Sequence, residues 1–431
     1  MFGSVIGGLL LGIAVIYANG SKITLSNGLR IEKTSKQATM EPIVKASQMT
    51  SQAPLVPATV QPSVMPSEPN IIESTKPTTK PTLDPTSEPS KKPEPEQTPD
   101  LPHVEVKEVK SVYISSSIAN NNKKLDSIIE VANNTEVNAF VFEVKDESGY
   151  LFYDLDVDKA KEIGAVKADS KSPAKLLEKV KAHDIYTIAR IVVFKDPILA
   201  KSNKDYAIQD KNKAVIKDKG EAWVNPYNEA VWDYELSIIK AAVAAGFDEV
   251  QLDYVRFNTN SVFNKAVYGD SNATKTEVIL DFTKKVKEAI SPLGGYLSMM
   301  TYGTVMSSDY DALHFGQDFT KLASVLDYIC PMVYPSSYHS GSFSKKVPDQ
   351  HPYDVVYGAC GYAKKAVNPN DTKNAIVRPW LQGFTATGVA GHQTYGAKQV
   401  QEQIKAVYDI GYTSYGVWGP SGNYTDEWFK K

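Results

Sequence analysis

The sequence contains few residues of the kinds that bind metals or form disulfides. Its 431 residues include only two cysteines, Cys330 and Cys360, and neither lies in a CxxC pair or a Cys/His cluster. This argues against a disulfide framework and against structural zinc, and it leaves open a single bridge between the two cysteines. The six histidines show no HxH, HxxxH or HExxH spacing, which argues against a zinc protease or a metal-dependent deacetylase. We therefore expect no metal site.

Motifs for serine nucleophiles and for phosphate binding are also absent. The chain has no GxSxG elbow, no GxGxxG turn and no GxxxxGK loop, so neither an α/β-hydrolase nucleophile nor a nucleotide cofactor is predicted. The formal net charge is −3, which provides no basic footprint for nucleic acid. We expect a protein that needs no cofactor and does not bind nucleic acid.

Aromatic residues are missing from most of the first quarter of the chain. None lies between Tyr17 and Tyr113, whereas 23 of the 24 tyrosines and all five tryptophans lie from Tyr113 onward. A segment without aromatic side chains has little apolar surface to bury, so we predict that the folded domain spans 105–431. The sequence gives no indication of the oligomeric state.

The first 21 residues carry no charged side chain, and most of them are apolar. Residues 2–18, FGSVIGGLLLGIAVIYA, form an almost continuous apolar run. This length is at the short limit for a membrane span and exceeds most signal-peptide cores, so we predict a signal peptide or a membrane anchor at 1–21. Lys22, Arg30 and Lys33 follow it, which on the positive-inside rule argues against an outward-facing domain.

The next two segments favour export despite that charge pattern. Residues 22–36 contain KITLSNGLRIEK, in which apolar and polar residues alternate around Asn27-Gly28, so we predict a short hairpin there. Residues 37–104 hold 14 of the 25 prolines, a composition that cannot bury a core and behaves as a disordered, extended spacer. A spacer between an anchor and a catalytic domain suits an enzyme that acts away from a membrane. We predict a protein that is secreted, or that is held on the extracellular side of the cell membrane by its N-terminal segment.

From residue 109 onward, β-branched or aromatic apolar runs alternate with amphipathic stretches of helical period. Eight runs have strand character: 109–115, 137–145, 185–194, 249–257, 295–302, 326–334, 375–384 and 414–419. Seven stretches have helical character: 125–135, 172–184, 228–246, 276–290, 319–326, 352–367 and 395–411. Eight strands alternating with helices over about 320 residues predict an α/β fold, the (β/α)8 TIM barrel. A doubly wound open sheet is the alternative, but it normally has fewer strands and a Gly-rich phosphate turn.

An acid lies inside the fourth predicted strand. In EVQLDYVRF, residues 249–257, a period of two places Leu252 and Tyr254 on an apolar face that should pack on the helices. Asp253 then points into the barrel mouth, where an ionised carboxylate is costly unless it is paired or solvated. Active sites of this fold lie at the C-terminal ends of the strands, so we predict that Asp253 is catalytic. Pairing with a barrel arginine such as Arg190 is the structural alternative.

The second predicted strand supplies further carboxylates. The run VNAFVFEVK places Glu143 and Lys145 on one face, and the loop after it contains Asp146 and Glu147. Glycoside hydrolysis needs two carboxyl groups whose environments push their pKa values apart, one protonated as the acid and one ionised as nucleophile or base. We predict Glu143 or Asp146 as the acid partner of Asp253, and we interpret Glu147 as a solvated loop residue.

Aromatic and polar side chains near the predicted strand ends are suited to bind a polysaccharide or oligosaccharide. Flat, partly exposed rings form platforms for the apolar faces of sugars. The predicted platforms are Tyr302, Tyr334, Trp380, Phe384 and Trp418. The predicted polar contacts to the substrate come from Arg190, Lys195, Arg256 and Gln382.

With these residues in view, the chain resembles the DUF4015 family of bacterial secreted TIM-barrel proteins, a candidate family of glycoside hydrolases. The matching stretches are VFEVKDESGY (141–150), ARIVVFKDPILA (189–200), WVNPYNEAVWDY (223–234), GFDEVQLDYVRF (246–257), PMVYPSSY (331–338) and RPWLQGF (378–384). The resemblance covers nearly all of 108–425. It implies a glycosidase-like barrel whose fourth-strand acid, Asp253, is the catalytic carboxylate.

The chain departs from that family at the fifth strand. Relatives tend to carry an acid there, within a Ser-Ala-Asp-Val-Phe-Gly-like run, whereas LSMMTYG at 297–303 has Met300. Methionine can neither donate nor accept a catalytic proton. The second-strand acid of the family also appears here as Glu143 rather than aspartate, with a longer reach. The sequence thus predicts a glycoside hydrolase acting on a cell-envelope or extracellular polysaccharide, and the alternative is a barrel that has lost hydrolysis and only binds glycans.

Overall fold

The chain divides into two units, residues 1–99 and 100–431. The computed structural model describes residues 15–18, 21–24, 108–367 and 374–430. Among the helices of the described residues, none combines the length and the hydrophobicity of a membrane span.

The first unit contains a pair of antiparallel strands, Val15–Ala18 and Ser21–Thr24, with Val15 opposite Thr24. Ser21–Thr24 pairs with residues before it. The turn and the second strand of the hairpin predicted across Asn27-Gly28 lie outside the described residues. The predicted linker at 37–104 and most of the predicted anchor lie outside the described residues.

The second unit is built on eight parallel strands that close into a barrel. In chain order these are β1 Lys110–Ile114, β2 Ala139–Lys145, β3 Tyr186–Val192, β4 Glu249–Asp253, β5 Tyr296–Tyr302, β6 Tyr328–Met332, β7 in two parts, Ile376–Val377 and Trp380–Gln382, and β8 Tyr415–Trp418. Each strand pairs with the next, and β8 pairs with β1, which closes the sheet. The predicted (β/α)8 barrel is confirmed.

One helix of the outer ring follows each of the first seven strands. These are α1 Asn122–Asn134, α2 Ala174–Lys181, α3 Glu229–Ala244, α4 Lys275–Ile290, α5 Phe319–Ala323, α6 Pro352–Ala366 and α7 Ala397–Asp409. Their starts follow from the sequence, because side chains such as those of Asn121, Asn228 and Thr274 accept backbone N–H groups of the first turn.

Shorter elements extend the loops between strands and helices. The short helices are Ser116–Ala119, Asp158–Glu162, Pro197–Ser202 and Asp309–Phe315. The short strands are Leu151–Tyr153, Val166–Lys171, Gln209–Asp210, Lys217–Asp218, Glu221–Ala222 and Ala266–Val267. These excursions lie mainly in the loops after β2, β3 and β4, beside the C-terminal mouth of the barrel.

Side chains alternate between the barrel interior and the helix layer. In β4, Val250 and Leu252 pack in the large apolar core under the helices. The opposite face of this strand carries Glu249, Gln251 and Asp253, all buried. Glu249, at the N-terminal end, forms a buried ion pair with Arg378, so the strand begins and ends with an inward acid.

Strand β2 breaks this alternation near its end. Glu143 lies opposite Arg190 of β3, but the next residue of β3, Ile191, lies opposite Lys145 rather than Val144. The extra residue is a β-bulge, which turns Lys145 out of the barrel toward α3. The prediction that Lys145 shares a face with Glu143 is therefore wrong.

The two cysteines are both buried and both free. Cys330 lies in the barrel interior with Met300 and Trp380, whereas Cys360 packs in the core under the helices. The bridge that the sequence left open is not formed.

Candidate active site

Asp253 is the last residue of β4 and lies at the C-terminal mouth of the barrel. Its side chain is nearly buried, and Oδ2 accepts hydrogen bonds from Arg190 Nε at 3.0 Å and Nη2 at 2.6 Å. Oδ1 accepts the backbone N–H of Tyr254 at 2.7 Å. Asp253 therefore faces inward as predicted, and the arginine pairing that was kept as an alternative is present as well.

Arg190 is held by carboxylates rather than presented to solvent. The side chain is 1% exposed, and its Nη2 also donates to Glu147 Oε1 at 2.5 Å. Its Nε and Nη2 are thus taken by carboxylates, whereas Nη1 is buried without a hydrogen-bond partner among the described residues. Arg190 holds Asp253 and Glu147 together, and its contact to the substrate stays a prediction.

Glu147 belongs to this cluster, contrary to its interpretation as a solvated loop acid. Because its Oε1 and Asp253 Oδ2 share one nitrogen, at 2.5 and 2.6 Å, the two oxygens are at most about 5 Å apart. Burial would raise the pKa of Glu147, but the charge and hydrogen bond of Arg190, with a contribution from Lys195, hold that pKa below its usual value. Glu147 is therefore an ionised neighbour of Asp253 at neutral pH.

Glu143 lies on the inward face of β2, next to the same arginine. Its Oε1 is 3.9 Å from Arg190 Nη1 and accepts the Tyr113 hydroxyl at 2.6 Å. Its Oε2 accepts both the backbone N–H and the hydroxyl of Ser116 at 3.2 Å. Both oxygens of Glu143 are thus engaged by protein donors, which leaves this carboxylate poorly placed to deliver a proton.

Asp146 begins the tight turn after β2. Its Oδ1 accepts the backbone N–H groups of Ser148 and Tyr150, both at 3.0 Å. Burial raises the pKa of Asp146, the hydrogen bond from Tyr150 opposes this, and the charges of Glu143 and Glu147 raise the pKa further. Asp146 consequently retains its proton to a higher pH than an unperturbed aspartate.

A buried ionic triad supports the loop that carries Asp146 and Glu147. Lys145 Nζ lies 2.7 Å from Asp196 Oδ2 and 2.6 Å from Glu235 Oε1, and all three side chains are 0% exposed. The backbone of Gly149, at φ +82°, packs directly against the Asp196 carboxylate. The loop after β2 is therefore fixed to the loop after β3 and to α3.

Two of the predicted aromatic platforms border the carboxylates. Trp418, half-buried, stacks on Tyr113 with ring centroids 3.9 Å apart, and the guanidinium of Arg190 lies 5.0 Å from its ring. Tyr334 is also half-buried, and its pKa is raised by burial and then by the charge of Asp253, which places its hydroxyl near that acid. Both rings lie where a bound sugar would meet the cluster.

Two other predicted substrate contacts are wrong, because their side chains are buried. Trp380 is 1% exposed and donates its Nε1–H to Gln251 at 3.1 Å inside the barrel. Gln382 is fully buried and donates to the Asp349 carboxylate while accepting the backbone N–H of Ser336. Strand position alone did not distinguish such interior residues from those at the rim.

The remaining predicted contacts lie around Tyr254, a residue that sequence reasoning assigned to the helix face. Tyr254 has φ +54°, so the chain leaves β4 in a left-handed turn and the ring is redirected. Lys195 Nζ lies 5.6 Å from that ring and the Arg256 guanidinium 5.0 Å from it. Tyr302, half-buried, contacts the same guanidinium at 4.9 Å. The mouth thus has an acidic side at Asp253 and a basic, aromatic side at Arg256.

Residues 111–424 match the model of the DUF4015 family, which is described as a "Putative glycosyl hydrolase domain". The chain belongs to this family. The match covers the barrel from β1 to the region after β8, so it includes every carboxylate of the cluster. The glycoside hydrolase assignment predicted from the sequence is confirmed at the level of the family.

One solved structure supports the same fold. The glycoside hydrolase domain of PgaB (BpsB) from Bordetella bronchiseptica matches 75% of this chain and 99% of its own length with a TM-score of 0.57 at 12% identity. A hypothetical protein from Ruminiclostridium thermocellum is 32% identical, covering 44% of this chain and 96% of its own, with a TM-score of 0.41. A comparison with curated protein sequences finds no match.

Proposed function

We propose that this chain hydrolyses O-glycosidic bonds with Asp253 as nucleophile or base and Asp146 as the acid. The observation that carries the proposal is the carboxylate cluster at the barrel mouth, in which Arg190 holds Asp253 and Glu147 while burial raises the pKa of Asp146. Carboxyl groups whose environments separate their pKa values are what glycoside hydrolysis requires. Glu143, with both oxygens occupied, is the second candidate for the acid.

We propose a cell-envelope or extracellular polysaccharide as the substrate. The apolar segment at 1–21 and the proline-rich segment at 37–104 support an exported or membrane-tethered enzyme that acts at a distance from the bilayer. Half-buried rings at Tyr302, Tyr334 and Trp418 support binding of a sugar chain.

The test is hydrolysis of a polysaccharide panel by the purified full-length chain. The wild type should release reducing ends, and Asp253→Asn should abolish the release. Asp233→Asn, on the exposed face of α3 with a side chain 69% exposed, is the matched control and should retain full activity. Hydrolysis that survives Asp253→Asn would refute the catalytic assignment.

A non-catalytic glycan-binding barrel is the second candidate, and Met300 is the observation that favours it. Met300 is 2% exposed and packs in the barrel interior with Cys330 and Tyr328, at the fifth-strand position where the resemblance places an acid. This candidate predicts that the wild type and Asp253→Asn bind the same glycan and that neither forms product. Turnover by the wild type would exclude it.

A further inference from the structure

Arg256 differs from the other two arginines of the described residues. Arg190 and Arg378 are both 1% exposed and are ion-paired with buried carboxylates. Arg256 is half-buried at the mouth of the barrel, and its only hydrogen bond within the described part of the chain runs from Nη1 to the backbone oxygen of Phe257 at 3.1 Å. No carboxylate of residues 108–367 or 374–430 forms an ion pair with it. A positive charge at the rim of the candidate site is thus left without a protein counter-charge.

Aromatic rings hold this guanidinium in place. Its central carbon lies 4.8 Å from the ring of Trp223, 5.0 Å from Tyr254, 4.9 Å from Tyr302 and 5.7 Å from Phe315. The four rings form an aromatic cage around the guanidinium. Tyr302 and Phe315 stack on each other with ring centroids 4.3 Å apart, which stiffens one side of this cage. Rings satisfy a guanidinium by cation–π attraction without using its N–H donors. The cage therefore orients Arg256 and leaves donors for a ligand.

A second cation lies on the same side of the mouth. Lys195 Nζ is 5.6 Å from the ring of Tyr254, the ring that also contacts Arg256. Its salt bridge to Glu221 is long, at 3.4 Å, and Glu221 is 48% exposed, so water screens that pair. Tyr254 follows Asp253 directly in the chain, which places both cations beside the carboxylate cluster. This side of the mouth therefore carries two positive charges next to the proposed point of cleavage.

We propose that Arg256, assisted by Lys195, forms a subsite for an anionic substituent of the sugar chain, a carboxylate or a phosphate. This proposal rests on the proposed glycoside hydrolase function, because it assigns the substrate class of the same mouth. Planar guanidinium groups match the geometry of carboxylate and phosphate with paired hydrogen bonds. A neutral sugar chain would provide no counter-charge for the guanidinium of Arg256. The substrate is accordingly an acidic polysaccharide.

Binding is tested in the full-length Asp253→Asn protein, so that the result does not depend on hydrolysis. Inorganic phosphate, glucuronate, glucose 6-phosphate and glucose are titrated by calorimetry and by NMR of the arginine Nε–H signals. The anions should bind at least about tenfold more tightly than glucose and should shift the Arg256 signal, since a charged hydrogen bond contributes this much or more. The tighter of glucuronate and glucose 6-phosphate identifies the substituent. Affinity should fall as salt is added.

Variants separate a binding role from a structural one. Arg256→Gln should remove the preference for anions, Arg256→Lys should retain part of it, and Lys195→Gln should weaken it. Lys398→Gln, on an exposed face of α7 with a side chain 79% exposed, is the charge-matched control and should change nothing. If Arg256 only holds the rings together, the protein should bind no anion, or it should bind anions equally well after Arg256→Gln. Either result would overturn the proposal.

The two proposals fail in different ways. If the wild type hydrolyses acidic and neutral polysaccharides equally well, the subsite is refuted and the glycosidase function stands. If no polysaccharide is hydrolysed but anion binding depends on Arg256, the hydrolytic function is refuted and the anion subsite stands.

Discussion

At the scale of single residues, the alternation of side chains along a strand predicted the position of Asp253 in the candidate site but not that of Glu147. Asp253 was found because a strand with an apolar helix face must turn its acid inward. Glu147 was missed because its partner, Arg190, lies 43 residues further along the chain. Only the assembled barrel brings the loop after β2 over the end of β3. The sequence of the loop therefore did not show which of its acidic residues lies in the candidate site.

Asp146→Asn should lower kcat by about 10²–10⁴-fold, the usual contribution of a positioned acid. An acid must be protonated to act, so activity of the wild type should fall as pH rises through the raised pKa of Asp146. The variant should lack this alkaline limb in its pH–rate profile. Glu143→Gln is the matched comparison and should keep the limb. If the limb disappears in Glu143→Gln and persists in Asp146→Asn, the acid is Glu143.

At the scale of elements, the bulge in β2 explains how the end of one strand contributes to two clusters, the candidate active site inside the barrel and the buried ionic triad outside it. Without the extra residue, Lys145 would point into the barrel beside Glu143 and Arg190. With it, Lys145 points toward α3 and joins Asp196 and Glu235 in a layer that is fully buried. A regular alternation pattern contains no signal for a bulge, so this reversal was not predictable from the strand sequence.

Gly149→Ala tests how tightly that loop is fixed. Gly149 has φ +82°, and an added Cβ would lie 2.2 Å from the Asp196 carboxylate. Gly164, at φ +70° with nothing within 4 Å, is the matched control for the backbone cost alone. Gly164→Ala should lower the free energy of unfolding by about 1–2 kcal/mol, and Gly149→Ala by about 1–3 kcal/mol more, from overpacking.

Urea unfolding of the two glycine variants provides the measurement. The loop after β2 carries Asp146 and Glu147, so Gly149→Ala should also reduce kcat, whereas Gly164→Ala should leave it near the wild-type value. Equal destabilisation by the two substitutions would show that the close approach to Asp196 does not constrain the loop.

At the scale of the whole molecule, the barrel was predictable because its signal is repeated eight times. Each strand alternates with a stretch of helical period, and seven helices with near-predicted bounds follow. The excursions at Leu151–Tyr153 and Val166–Lys171, and the short strands after β3, were not predicted. They contain two to six residues each, too few to show a period. Most of them pair with a segment of the same loop, and Gln209–Asp210 pairs with Ala266–Val267 of the next loop. The repeated pattern therefore predicted the barrel, whereas the loop segments that border the candidate site could not be predicted.

The buried triad should make the stability of the whole domain depend on pH through Glu235. Burial, opposed by Lys145 and reinforced by Asp196, raises the pKa of Glu235 from 4.5 to about 8. Between these values the folded state holds a proton that the unfolded state releases, so the free energy of unfolding decreases as pH rises. One such proton contributes at most about 1.4 kcal/mol per pH unit. Below about pH 4.5 this dependence disappears, because Glu235 is then protonated in both states.

Glu235→Gln removes this titration, so the difference in unfolding free energy, variant minus wild type, should grow steadily from pH 4.5 to 8. Urea unfolding at several pH values across this window measures it. Glu229→Gln, at the exposed first turn of the same helix, should give a curve parallel to that of the wild type. A Glu235→Gln curve that is also parallel would mean that Glu235 is ionised in the folded protein and that Lys145 balances two buried carboxylates rather than one.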